Sequence, residues 1–185
     1  MSNIFLPILG VVLLLAVGII VIFNRLIRLK NQVDEAYSGM DVQMKMRYDL
    51  IPNLVETVKG YASHESETLE AVISARNIAS HTQNVEEALA AEGQLTRALR
   101  SLFAVAENYP DLKANANFMD LQNRLQKIES DIAKSRLYYN GTVKQFNNVV
   151  AVFPNNLIAG ILGFTKQPFY TLDSEDERSV PEVRF

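Results

Sequence analysis

The residues from Ile4 to Phe23, IFLPILGVVLLLAVGIIVIF, form one continuous run without a charge. At about 1.5 Å of rise per residue, a helix of this length matches a bilayer hydrocarbon core of about 30 Å. A cleaved signal peptide would place a positive residue before a shorter apolar core and small residues at its end. Here no Lys or Arg precedes the run, and it closes on VIFNRL. The pattern therefore predicts a retained transmembrane helix over 4–23, behind a short tail at 1–3.

Beyond the run, hydrophobicity becomes periodic. Val33, Tyr37, Met40, Met44, Ile51, Leu54, Val58 and Tyr61 recur at steps of four and three, and Arg47 fills the one place where an apolar residue is missing. That is the seam of a long helix packed along its length against others. Pro52 interrupts it chemically, because its ring clashes with the carbonyl of Tyr48 and removes one backbone donor. The seam stays in phase across the proline, which favours a continuous helix kinked at Pro52. The competing reading starts a new helix with Asp49 as N-cap and Pro52 in its first turn.

Two further stretches carry helical spacing. HESETLEAVISARNIA aligns Leu69, Val72, Ile73 and Arg76, and VEEALAAEGQLTRALRSLFAVAENY aligns Leu89, Leu95, Leu99, Leu102, Phe103 and Ala106. The pattern leaves open whether the helices at 64–80 and 85–109 are one or two. YPDLKANA, Tyr109 to Ala116, predicts a turn from its Pro-Asp pair. A second regular seam then runs through Phe118, Leu121, Leu125, Ile128, Ile132, Ser135, Tyr139, Val143, Phe146 and Val150, and is ended by Pro154.

No stretch alternates as a strand would. The expected fold is all-α: one N-terminal transmembrane helix, then an antiparallel three- to four-helix bundle of long helices over 24–170. The apolar segment 155–170 is expected to close the end of the bundle as a hydrophobic turn. Contact with the membrane surface is the alternative, disfavoured because the segment lacks the basic face such elements carry. Residues 171–185 are charged and read as a flexible tail.

Charge sets orientation and excludes some partners. Arg25, Arg28 and Lys30 follow the span directly, which by the positive-inside rule places the bundle in the cytoplasm; the reverse orientation would make it periplasmic or extracellular. With 18 basic and 21 acidic residues the net charge is −3, so no broad basic field for nucleic acid is expected. The absence of cysteine excludes disulfides, thiolate metal sites and cysteine nucleophiles.

Known catalytic spacings also fail. HESET begins like a zinc-protease helix at His64, but Thr68 stands where the second imidazole is required. A di-iron bundle needs a carboxylate three residues before a histidine, and His81 and His64 have Ile78 and Tyr61 there. Nucleophile elbow, phosphate loop and dinucleotide turn are all missing, so no catalytic residue, metal or cofactor is expected. The remaining candidates are polar residues on or near the seams: Asp41, Arg47, Asp49 and Asn53 on the first helix, and Glu129, Arg136, Asn140 and Asn147 on the last. We expect them to form a structural polar network, with Arg47 meeting a carboxylate such as Glu129 to set helix register.

Two blocks, AYSGMDVQMKMRYDLIPNLVETVKGYASHE and NFMDLQNRLQKIESDIAKSRLYYNGTVKQFNNVVAVFPNNLIAGILGF, resemble the signatures of the LemA family of bacterial membrane proteins. The chain departs from that pattern at Tyr37, where tryptophan is frequent, and at Met44 and Met46, where leucine and arginine are usual. The resemblance implies a short tail, a single-pass anchor and a long-helix bundle, with no established enzymatic activity. The function expected from residues and resemblance together is a non-enzymatic, membrane-anchored interaction or scaffold module that meets a protein partner or a second copy. A bundle binding a small molecule or lipid through its polar residues is the alternative.

Overall fold

The charge-free run and the first seam belong to one helix. In the computed structural model, which describes residues 2–82 and 85–171 (backbone only at 2–4, 85, 86 and 89), α1 extends unbroken over Ser2–Lys59, 58 residues. The expected tail at 1–3 is thus helical from Ser2 onward. Helices α2 (Ser66–His81), α3 (Val85–Ala106), α4 (Pro110–Lys113), α5 (Ala116–Ala151) and α6 (Asn155–Ile161) follow, and no strand occurs among the described residues. The question of one helix or two is answered: α2 and α3 are separate, and Thr82 leaves α2 in an extended conformation.

Two expectations of bare turns are corrected. Within YPDLKANA the chain makes the one-turn helix α4, with Pro110 at its start, where a missing N–H costs little. Asn115 then caps α5, its Oδ1 accepting from the N–H groups of Asn117 (2.9 Å) and Phe118 (3.0 Å). The segment after Pro154 likewise folds as α6 instead of a turn. It ends in a Schellman arrangement: Gly163 takes φ +76°, and Phe164 N–H reaches back to the Ala159 carbonyl at 2.9 Å. A side chain at position 163 would be strained there.

The chain divides into two compact units. The first comprises 2–39 and 137–169. Every side chain from Phe5 to Val21 is exposed, and this part of α1 has a mean hydropathy of 3.1 at its most apolar, enough to cross a membrane. Burial begins just ahead of the seam, at Leu26 and Leu29, and continues through Val33 and Ala36. Tyr37 meets Tyr139 edge-on with ring centroids 5.9 Å apart, and Phe146 meets Phe164 at 6.4 Å. The extended chain after α6 is tied down by Asn147, whose amide both donates to and accepts from the Gln167 backbone at 2.8 Å. Tyr139 donates its hydroxyl to the Pro168 carbonyl at 3.0 Å.

The second unit comprises 40–136 and Tyr170. Its core gathers Met44, Ile51 and Leu54 of α1, Leu69 and Val72 of α2, Leu95 and Leu102 of α3, and Leu125 and Ile132 of α5. Helix α2 packs against α3 through Leu69, Val72, Ala75 and Ala79, while Ile73, expected on that face, is exposed. Small alanines on the buried side let the two backbones approach.

Helix α1 continues through Pro52, which displaces the reading that started a new helix at Asp49. The carbonyl that the proline leaves without its helical donor belongs to Tyr48, four residues earlier. Arg76 of α2 supplies the donor from its Nε at 3.2 Å.

Candidate functional site

Charged residues concentrate in the second unit, at the one gap in the first seam. Arg47 takes an apolar position on α1 and is therefore carried into the core, where it is 0% exposed. A guanidinium removed from water is costly unless every side of it is answered. Its Nη2 donates to Glu92 Oε2 on α3, and its Nη1 donates to Glu129 Oε1 on α5 at 2.7 Å. Tyr48, beside it on α1, donates its hydroxyl to the other oxygen of Glu92.

A second arginine completes the group. Arg136 on α5 lies 3.7 Å from Glu92 Oε2, and its guanidinium sits over the Tyr170 ring, 4.7 Å from the centroid. Its Nη2 also donates to the Tyr170 hydroxyl at 3.3 Å. Two arginines thus face two glutamates, and the core charge balances. Burial pushes the Tyr170 phenol above its ordinary pKa of 10.0, with the neighbouring Arg136 and Arg47 acting in the opposite direction.

The cluster joins α1, α3 and α5 and grades from interior to surface: the Glu92 side chain is 2% exposed and that of Glu129 37%. Arg47 Nε and Arg136 Nε are buried without a hydrogen-bond partner among the described residues. Each such orphan costs about 1–3 kcal/mol, which offsets part of what the ion pairs of the cluster contribute. Among the described residues no three His, Cys, Asp or Glu side chains converge as metal ligands.

The polar residues singled out from the sequence separate into three sets. Arg47, Glu129 and Arg136 come together. Asp41, Asp49 and Asn53 do not: all three are exposed on the outer side of α1, and Asp49 pairs at 2.7 Å with Lys45 one turn earlier. Asn140 is half-buried in the first unit, and Asn147 is buried there holding Gln167. His64 and His81 are exposed.

Glu92, Tyr48 and Tyr170 lie outside the set of residues that the sequence pattern singles out. Glu92 had a legible signal, since it falls in step with Leu95, Leu99, Leu102 and Ala106 and so marks a charge in a seam position, as Arg47 does. Tyr170 had none, because its place depends on how the chain returns after α6.

All the cluster residues lie within 36–185, the stretch over which the chain matches the LemA family. The chain belongs to the LemA family. Protein LemA of Metamycoplasma hominis is 26% identical over 138 residues, covering 74% of this chain and 63% of that protein. Magnetosome protein MamQ 2 of Paramagnetospirillum magneticum is 23% identical over 174 residues, covering 80% of this chain and 64% of its own length. MamQ of Magnetospirillum gryphiswaldense is 21% identical over the same span. The chain therefore spans a little under two thirds of the curated relatives it matches. Its charge-free run precedes the matched stretch and adds the anchor, so this LemA-family chain is membrane-associated by its own sequence.

Proposed function

We propose that this LemA-family chain is a non-enzymatic, membrane-anchored helical module that presents its bundle to a protein partner or to a second copy of itself. The observation that carries this reading is the inward-turned charge cluster. Acid-base or nucleophilic chemistry needs groups directed at a substrate. Here Arg47 and Glu92, at 0% and 2% exposure, are directed at each other. Helix alignment is what such an arrangement supplies, and it suits a surface that must keep its shape while a partner docks. Arg25, Arg28 and Lys30 at the end of the apolar run support a cytoplasmic bundle by the positive-inside rule. The net charge of −3 argues for a protein partner over a nucleic acid.

In-cell crosslinking with an amine-reactive reagent, read by mass spectrometry, tests both parts. Lys45 and Lys134, with side chains 71% and 72% exposed, are expected to link to a cytoplasmic protein or to another copy. Links only to proteins outside the cytoplasm would overturn the orientation. A bundle linked to neither partner nor copy would overturn the presentation role.

A further inference from the structure

The first unit ends in an apolar surface that its own fold leaves uncovered. Phe153, Leu157 and Ile161 recur every four residues and are 79%, 58% and 84% exposed, with Val152 and Leu162 beside them at 52% and 44%. The opposite face of α6 is used internally, with Asn155 and Ala159 buried. Surfaces facing only water seldom gather large apolar side chains in this way. The sequence around them holds no charge from Gln145 to Thr165 and is bracketed by Lys144 and Lys166.

The register within this unit places that surface relative to the anchor. Tyr139 of α5 stands against Tyr37 of α1, and further on Gln145 shares a groove of about 420 Å³ with Gln32, Arg28 and Arg25. Advancing along α5 therefore means retreating along α1 toward the apolar run. Ala151 lies twelve residues beyond Tyr139 and Arg25 twelve before Tyr37, about 18 Å in either case. The end of α5 is level with Arg25, two residues from the end of the charge-free run at Phe23.

Headgroups occupy about 5–7 Å on each side of the hydrocarbon. Arg25, about 3 Å past Phe23, falls within that layer, and Arg28, about 7.5 Å past it, stands at its outer edge. Neither makes an ion pair among the described residues, whereas Lys30 is engaged by Asp34.

We propose that α6 and the turn before it are a second membrane contact, with Phe153, Leu157 and Ile161 seated in the lipid interface of the leaflet that borders the bundle. The occupant is lipid because the patch stands at the depth where the anchor leaves the bilayer, and is continuous with that interface. The basic residues that an interfacial helix usually carries on its own polar face are supplied here by α1, at the depth of the phosphates. This revises the expectation for 155–170: one face of α6 closes the unit, and the other meets lipid. The inference rests on the anchor and is independent of whether a protein partner exists.

Because the chain has no cysteine, single cysteines can be placed at will. The full-length variants Leu157→Cys, Ile161→Cys and, as reference, Val42→Cys (48% exposed in the second unit) are labelled with an environment-sensitive fluorophore. They are then reconstituted in vesicles of phosphatidylethanolamine and phosphatidylglycerol. The expected result is blue-shifted emission at 157 and 161, quenched by nitroxide-bearing lipids and shielded from aqueous iodide, with the reverse at 42. Iodide access at 157 and 161 equal to that at 42 would overturn the proposal. Shielding from both quenchers would also overturn it, since protein would then cover the face.

Discussion

A double-mutant cycle between Pro52 and Arg76 tests how α1 survives its proline. If Arg76 serves the Tyr48 carbonyl because Pro52 has no N–H to give it, the arginine matters only while the proline is there. Arg76→Met keeps most of the side-chain stem and removes the donor. A hydrogen bond from a charged group to a carbonyl contributes about 1.5–3 kcal/mol, and because Arg76 is half-exposed, water recovers part of the loss, leaving about 1–2 kcal/mol. For a chain of this size that lowers Tm by about 2–8 °C.

Pro52→Ala restores a backbone donor at position 52, so the same arginine substitution made on top of it should cost under about 0.5 kcal/mol. The contact between Arg76 Nη1 and Asn77 Oδ1 is lost equally in both backgrounds and cancels. The coupling expected is about 1 kcal/mol, above the deviation of about 0.3–0.5 kcal/mol seen between independent sites. Thermal unfolding of the four proteins in detergent, followed by far-UV circular dichroism, measures it. An arginine substitution that costs the same with proline as with alanine would mean that Arg76 does not compensate for the donor missing at Pro52.

Two further outcomes are expected. Arg47→Met should destabilise the chain by about 3–5 kcal/mol, because Glu92 keeps its burial and loses its main counter-charge, whereas Arg47→Met/Tyr48→Phe/Glu92→Leu should recover most of that in urea unfolding; a single variant costing under about 1 kcal/mol would contradict the burial argument. Alkaline pH should also weaken the fold, since burial raises the phenol pKa of Tyr139 and of Tyr170 above 10.0. The neutral phenol is favoured in the folded state, so this stability is full below pH 10, where the unfolded chain begins to ionise, and is lost as pH rises through the folded values. Tyr139→Phe/Tyr170→Phe should flatten the pH dependence of Tm in that window and leave its slope at neutral pH unchanged.

Much of the architecture was legible without coordinates, because the signals behind it are local. A charge-free run as long as a bilayer is thick and a seam repeating at three and four state which residues leave water, whatever they go on to touch. The continuity of α1 across Pro52 was legible for the same reason, as phase is a property of one helix. Arg47 could be read as buried because it stands in an apolar place on its own seam, and Glu92 offered the same signal on α3. Asp41, Asp49 and Asn53 lie only one or two residues from buried positions, and about 100° of rotation per residue is enough to turn them to solvent.

Periodicity names the buried face of a helix and says nothing about which faces meet. The seams name Glu129 only as one example of a carboxylate for Arg47; only the tertiary structure could bring Glu92 to the same guanidinium, or Arg76 to the carbonyl that Pro52 leaves without a donor. Tyr170 over Arg136 belongs to the same class, since its position follows from the path of the chain after α6. So does the apolar face of that helix, whose level beside Arg25 is set by the pairing of Tyr37 with Tyr139. The sequence alone determined what must leave water; the packing of helices against one another decided what each buried charge found there, because ion pairs and hydrogen bonds depend on distances between segments that no local pattern encodes.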